Sequence, residues 1–263
     1  MKRIFESKVF GAKKITPTVV LKGSGTARPA YEFTVNEAKG TAMLRATQDG
    51  IFCDALFFTY DEKRVLCRRV FENLSDSALD LCELGFEICG IRFEGDTKDD
   101  YFYSNENERI YGQYTLPVDF DRSVPGADNS EAGICFDCSR ADPGTICERI
   151  GASPYQPFPA VLVSNYGVKE GIVHGTLSQD VFYHNYLVKH EDNALNFYIF
   201  SSFKGIDALC MQPGRVIVDE WYLGRTDAAD DICAIFEDYT DELRKKLPCA
   251  YGRTDINRTS MIW

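Results

Sequence analysis

Three histidines, His174, His184 and His190, are the side chains whose ordinary pKa lies nearest neutrality, so they are the first candidates for proton transfer. An imidazole that works as an acid or base needs a carboxylate beside it, and the sequence places none next to His174 or His184. Each is therefore expected to be a core or rim histidine with one hydrogen bond. His190, followed by Glu191 and Asp192, is expected in an exposed turn. Asp219 and Glu220 are adjacent, and on a strand adjacent side chains point to opposite faces, so they make a poor catalytic pair. Asp99 and Asp100 are expected to be solvated in a turn. Metal chemistry has one opening, Cys135-Phe-Asp-Cys138 with Cys147 a little further on. Structural zinc takes four ligands, and no second pair or nearby histidine completes this one, so reduced cysteines, no metal and no cofactor are expected.

The elements that must position these groups are mostly short strands. In Cys82-Glu-Leu-Gly-Phe-Glu-Ile-Cys89, residues Cys82, Leu84, Phe86 and Ile88 fall on one face and Glu83 and Glu87 on the other, which predicts a half-buried strand. Ile51 to Tyr60, Val65 to Phe71, Val161 to Ser164, Val181 to Val188, Leu195 to Phe203 and Arg215 to Leu223 are similarly rich in aromatic and β-branched residues. Turn signals separate them at Tyr60–Lys63, Asn73–Asp76, His190–Asn193 and Gln212–Gly214. The stretch 120–159 lacks periodicity and reads as a long surface loop, either functional or a covering segment. One helix is predicted over 227–247, where Ile232, Ile235, Phe236, Tyr239, Leu243 and Leu247 recur at helical spacing. Asp227 caps it, Asp230 and Asp231 sit at its positive end, and Pro248 stops it. The expected fold is mainly β, a large antiparallel β-sandwich with one C-terminal connecting helix.

Composition narrows the function classes. The chain has 263 residues, 44% of them hydrophobic, enough for a well-buried core. A formal charge of -11 without basic blocks argues against nucleic acid or an anionic membrane as partner. After Met1-Lys2-Arg3 the residues Ile4 and Phe5 run at once into Glu6, Ser7 and Lys8, so no signal-peptide core follows. No run reaches the roughly 18 apolar residues of a membrane helix. With ten cysteines in no dense disulfide spacing, a cytoplasmic protein with reduced thiols is expected. The closing Met261-Ile262-Trp263 looks cut in mid-strand.

Several passages, taken in order, resemble the clan of α-galactosidase and raffinose-type glycoside hydrolases. Arg64-Val-Leu-Cys-Arg-Arg-Val-Phe-Glu-Asn-Leu-Ser75 is similar to that family's strand ending in a valine-x-asparagine turn, and the strand from Leu79 to Ile88 follows. Gly171 to Gln179 looks like the strand that crosses the sandwich. Met211 to Trp221 is similar to the proline-glycine-strand-acid passage that closes it, and Arg258 to Trp263 resembles the first strand of a (β/α)8 barrel.

The resemblance implies a supersandwich of the galactose mutarotase type over 1–225. A connecting helix follows at 226–248, with a linker and the start of a missing barrel at 249–263. It also implies that both catalytic carboxyl groups lie on barrel strands beyond this chain, so no catalytic residue is expected here. The leading reading is a non-catalytic accessory domain that supports its own missing C-terminal barrel, oligomer contacts and the rim of a sugar site. Its possible partners are an α-galactoside or oligosaccharide and a second copy in a homo-oligomer. Trp221 and Tyr222, at a strand end, can stack on a sugar face or pack, and alternation lets only one of them face the core. With His174 they form the candidate substrate-binding set. Two rivals stay open: a free-standing carbohydrate-binding module or lectin, and a small epimerase. Mutarotase-like relatives use histidine with a carboxylate, and an epimerase here would use His174 or His184. Strand alternation puts His174 with Thr176 and His184 with Phe182 and Tyr186.

Overall fold

A computed structural model describes residues 12, 14–96, 100–104, 114–117, 160–165, 167–178, 182–191, 194–203, 208–226 and 232–246. The elements run β1 (Lys14–Leu21), β2 (Gly25–Ala27), β3 (Glu32–Asn36), β4 (Thr41–Gln48), β5 (Phe52–Tyr60), β6 (Arg64–Asn73), β7 (Leu79–Ile91) and β8 (Asp100–Ser104). Then come β9 (Tyr114–Pro117), β10 (Ala160–Asn165), β11 (Glu170–Thr176), β12 (Phe182–Glu191), β13 (Ala194–Phe203), β14 (Leu209–Met211), β15 (Val216–Thr226) and the helix α1 (Ile232–Lys246). The strands form two antiparallel sheets. The six-stranded sheet has the order β12-β13-β7-β1-β2 with β14 paired to β7, and the nine-stranded sheet has the order β3-β4-β5-β6-β15-β11-β10-β8-β9. Each strand phrase read from the sequence falls in one of them. The protein is a mainly β sandwich with one α-helix among the described residues.

Turn chemistry sets the hairpins. The Asp61 carboxylate accepts the backbone N–H groups of Lys63 at 2.9 Å and Arg64 at 3.0 Å, closing β5 onto β6. Pro213 and Gly214 form the turn before β15, where Arg215 N donates to Gln212 O at 3.0 Å and Gly214 takes φ 72°, the left-handed value a type II turn demands.

Between the sheets lies one apolar layer. Phe58 and Leu223 from the larger sheet meet Phe86, Ile88, Phe197 and Ile199 from the smaller, and Trp221 fills the middle at 2% exposure. Its ring stands 5.0 Å from Phe86 in a tilted contact and 6.2 Å from Phe58 in an edge contact, each worth about 1 kcal/mol beyond area burial.

Three expectations need correction. The strand expected to be half-buried, β7, is buried on both faces, with Glu83 and Glu87 at 3% and 5% exposure. It lies between β1 and β13, its outer face also carries buried Tyr198 and Phe200 from β13, and Arg28 reaches Glu87 at 3.1 Å. Its phase also breaks: opposite β1, Val20 pairs with Glu83 and Leu21 with Leu81, so Cys82 is an extra residue and Leu81, not Cys82, packs beside Leu84. Finally, His190 and Glu191 belong to β12, paired with Leu195 and Ala194, and Asp100 belongs to β8, paired with Asn165. Ladder pairing overrides the turn propensity of acidic residues there.

The helix lies on the outer face of the larger sheet. Ile235 and Tyr239 pack on Ala160, Leu162, Val173 and Tyr222. Gly175 makes the contact possible, because a Cβ there would stand 2.2 Å from the Tyr239 ring. The Tyr239 hydroxyl donates to Thr176 O at 2.9 Å, and Arg64 Nη1 donates to both Asp238 and Glu242 at 2.8 Å. The expected cap at Asp227, with Asp230, Asp231, Leu247 and Pro248, lies outside the described residues. So do the loop 120–159 with Cys135, Cys138 and Cys147, and Asp99, and 249–263 with Trp263. Among the described residues no helix is long and apolar enough to cross a membrane.

Candidate functional site

Three of the titratable groups that the sequence singled out, His174, His184 and Asp219, converge in the middle of the sandwich. On β15 the alternation turns Ile217, Asp219, Trp221 and Leu223 inward, and Glu220 and Tyr222 outward. From the opposite sheet His184 on β12 and Ser201 on β13 are cross-strand partners. Both reach the same carboxylate: His184 Nε2 lies 3.0 Å from Asp219 Oδ1, and Ser201 Oγ donates to Asp219 Oδ2 at 2.7 Å. His174, on β11 beside β15, places its ring 5.6 Å from that of His184 and 5.3 Å from that of Trp221. A histidine–carboxylate couple therefore exists, contrary to the expectation that no carboxylate stands beside either histidine. The two residues come from different sheets, 35 positions apart, so adjacency in sequence could not show it.

Electrostatics follow from burial. His174, His184 and Asp219 are 0%, 3% and 1% exposed. For Asp219, burial favours the neutral acid, but the charge and hydrogen bond of His184, the bond from Ser201 and the charge of Arg69 outweigh it and hold the carboxyl below its ordinary value. For His174, burial first and the neighbouring His184 second push the imidazole well below its ordinary value. Burial, then the charge of Asp219, also drives the Cys67 thiol well up.

A second buried polar unit lies alongside. Arg69 on β6 donates from Nε to Asp54 Oδ1 at 2.9 Å and from Nη2 to Asp54 Oδ2 at 2.6 Å. It crosses to the smaller sheet to meet Gly85 O at 2.8 Å and Thr18 O at 2.9 Å. Tyr31 also donates to Asp54, and its hydroxyl is pushed up by burial and by that carboxylate. This unit ties the two sheets together.

The three candidate binding residues separate. Trp221 and His174 meet in the interior. Tyr222, 1% exposed, faces the other way, where its hydroxyl donates to Asp238 Oδ2 at 2.8 Å and its ring packs on Tyr239 under the helix. Sequence reasoning missed Ser201, Asp54 and Arg69. An arginine in phase with Val65, Cys67 and Phe71 was the available signal, since an inward charge needs a buried counter-charge.

The arrangement restricts the chemistry. A serine nucleophile requires its hydroxyl on the histidine, whereas Ser201 bonds the far oxygen of Asp219 instead. His184 could act as an acid or base only if a substrate reached it, and it is buried. Among the described residues no group of three or more His, Cys, Asp or Glu side chains is placed to hold a metal ion, and Cys53, Cys67, Cys82, Cys89 and Cys210 are free thiols.

The fold and this site define an antiparallel two-sheet sandwich with a buried histidine–carboxylate couple. No protein-family model and no curated protein matches the sequence. Among solved structures, a galactose mutarotase related enzyme from Lactobacillus acidophilus is similar at 9% identity and TM-score 0.43, over 81% of this chain and 79% of that one. A putative aldose 1-epimerase from Escherichia coli K12 is similar at 10% identity and TM-score 0.41, over 75% and 69%. The GH36 α-galactosidase AgaB from Geobacillus stearothermophilus is similar at 12% identity and TM-score 0.47, over 81% of this chain and 30% of that one.

Proposed function

We propose that the chain is a non-catalytic accessory sandwich of an α-galactosidase-like glycoside hydrolase, a sugar-related domain that supports a barrel rather than cleaving a bond itself. The observation that carries this reading is the burial of the acid–base groups. Glycoside hydrolysis requires two carboxyl groups flanking the scissile bond, about 5 Å apart in a retaining enzyme. Asp219 and Asp54 are instead consumed inside the sandwich by His184, Ser201 and Arg69. The helix clamped on the outer face supports the division into sandwich, 1–225, and connecting helix, 226–248. The test is an aryl α-galactoside assay with calorimetric titration of galactose and raffinose. No turnover is expected, and sugar affinity no tighter than about millimolar. Turnover would overturn the reading, and micromolar binding without turnover would replace it with a lectin.

A second reading rests on one contact, the 3.0 Å approach of His184 to Asp219. A carboxylate-backed imidazole is the group that proton transfer in sugar ring opening needs, and a small epimerase would open the sandwich to use it.

A further inference from the structure

The two sheets are tied across the interior by polar groups that come from both. His184 on β12 and Ser201 on β13 occupy the two oxygens of Asp219, which belongs to β15 of the other sheet. His174, on β11 of that same larger sheet, sets its ring 5.6 Å from the ring of His184. Among the described residues β12 is an edge strand, paired to β13 alone, whereas β11 and β15 are each paired on both sides. A strand bonded on one side gives up fewer ladder bonds on opening, so it belongs to the least stable part of a sheet. The tie to Asp219 therefore secures the strand with the least backbone pairing to hold it.

We propose that the His174–His184–Asp219 cluster is a proton-operated latch: uptake of a proton by His174 frees β12 from the larger sheet while the rest of the sandwich stays folded. Among the described residues, the charged and titratable groups around the two rings are Asp219 on β15, Cys67 and Arg69 on β6 and Asp54 on β5, with Glu220 on the outer face of β15. Arg69 and Asp54 neutralise each other, burial keeps the Cys67 thiol protonated, and both oxygens of Asp219 are engaged. A cation on His174 would thus stand beside the His184 ring in the buried layer. The ring of the smaller sheet that lies against His174 is carried by β12, so displacing β12 brings water to it. Burial first and His184 second hold the His174 imidazole well below its ordinary value, so the closed form is the one that lacks the proton. The open form takes it up at about pH 6.5. Opening therefore grows more frequent as the pH falls, by about tenfold between about pH 7.5 and pH 5.5 for this one proton.

Native-state hydrogen exchange of the full chain, read by NMR at low urea and corrected for the intrinsic pH dependence of amide exchange, tests the latch. The amides of β12 are expected to exchange through an opening of shallow urea dependence, about tenfold more populated at about pH 5.5 than at about pH 7.5. The slowest amides of β5 and β6 should exchange only with the steep urea dependence of global unfolding. In His174→Gln, which cannot take up the proton, the shallow opening should persist and lose its pH response. The comparison on the native chain stands whether or not that variant folds. Exchange of β12 only by global unfolding at both pH values would overturn the latch. A shallow opening that ignores pH, or that keeps its pH response in His174→Gln, would overturn it equally.

Discussion

Removing the counter-ion of Arg69 should cost more than removing Arg69 itself. The guanidinium is 2% exposed and holds the two sheets together through Asp54 on β5 and the carbonyls of Gly85 and Thr18 on β7 and β1. Asp54→Asn keeps the shape and deletes the charge, leaving a cation that cannot shed its proton in a dry interior. Breaking a buried pair from one side costs about 3–5 kcal/mol, roughly 10 °C in Tm for a chain of this length. Arg69→Met leaves a carboxylate that still accepts from Tyr31, so its cost should be smaller. The double variant removes both charges of the pair, and should be no worse than Asp54→Asn alone. Urea unfolding of the four proteins at pH 7 and pH 5 forms the cycle. A loss below about 1 kcal/mol for Asp54→Asn, or a double variant equal to the sum of the singles, would refute the reasoning.

Gly175→Ala should push the Tyr239 ring off the sheet, since the new methyl would stand 2.2 Å from it. A loss of about 1–3 kcal/mol and faster proteolysis within α1 are expected, and an unchanged melt would refute the close packing. Stability should also depend on pH. Burial first, and His184 second, hold His174 below its unfolded value of about 6.5, so the unfolded chain takes the proton first. Its contribution is complete above about pH 6.5 and is lost as the pH falls, at up to about 1.4 kcal/mol per unit. Asp219, kept low against its burial by His184, Ser201 and Arg69, adds a second loss only below about pH 4. A flat urea midpoint between pH 7 and pH 5 would contradict the His174 placement.

The two-sheet fold was legible because strand period and turn chemistry are local. Tyr60-Asp-Glu-Lys63 reads as a turn, and the Asp61 carboxylate makes it one. The helix was legible for the same reason, and Lys245 and Lys246 in its last turn stand where the dipole favours them. Burial of the outer faces was not legible. Glu83 and Glu87 read as solvent-facing because a period of two reports which residues share a face, never what covers it. The bulge at Cys82 shifts the phase by one residue without any glycine or proline to announce it. The site was half legible. Asp219 and Glu220 were correctly set on opposite faces, and only one of Trp221 and Tyr222 was expected to face the core, but the meeting of Asp219 with His184 depends on how one sheet lies over the other. That is set by packing in the interior, not by the run of either strand.

The most direct test of a non-catalytic sandwich is polarimetry of galactose mutarotation by the purified chain, alongside His184→Gln, because the His184–Asp219 couple is the arrangement among the described residues that could turn over a sugar. Rates equal to buffer for both proteins are expected. Acceleration by the native chain that disappears in His184→Gln would contradict the accessory-domain reading and establish the couple as catalytic.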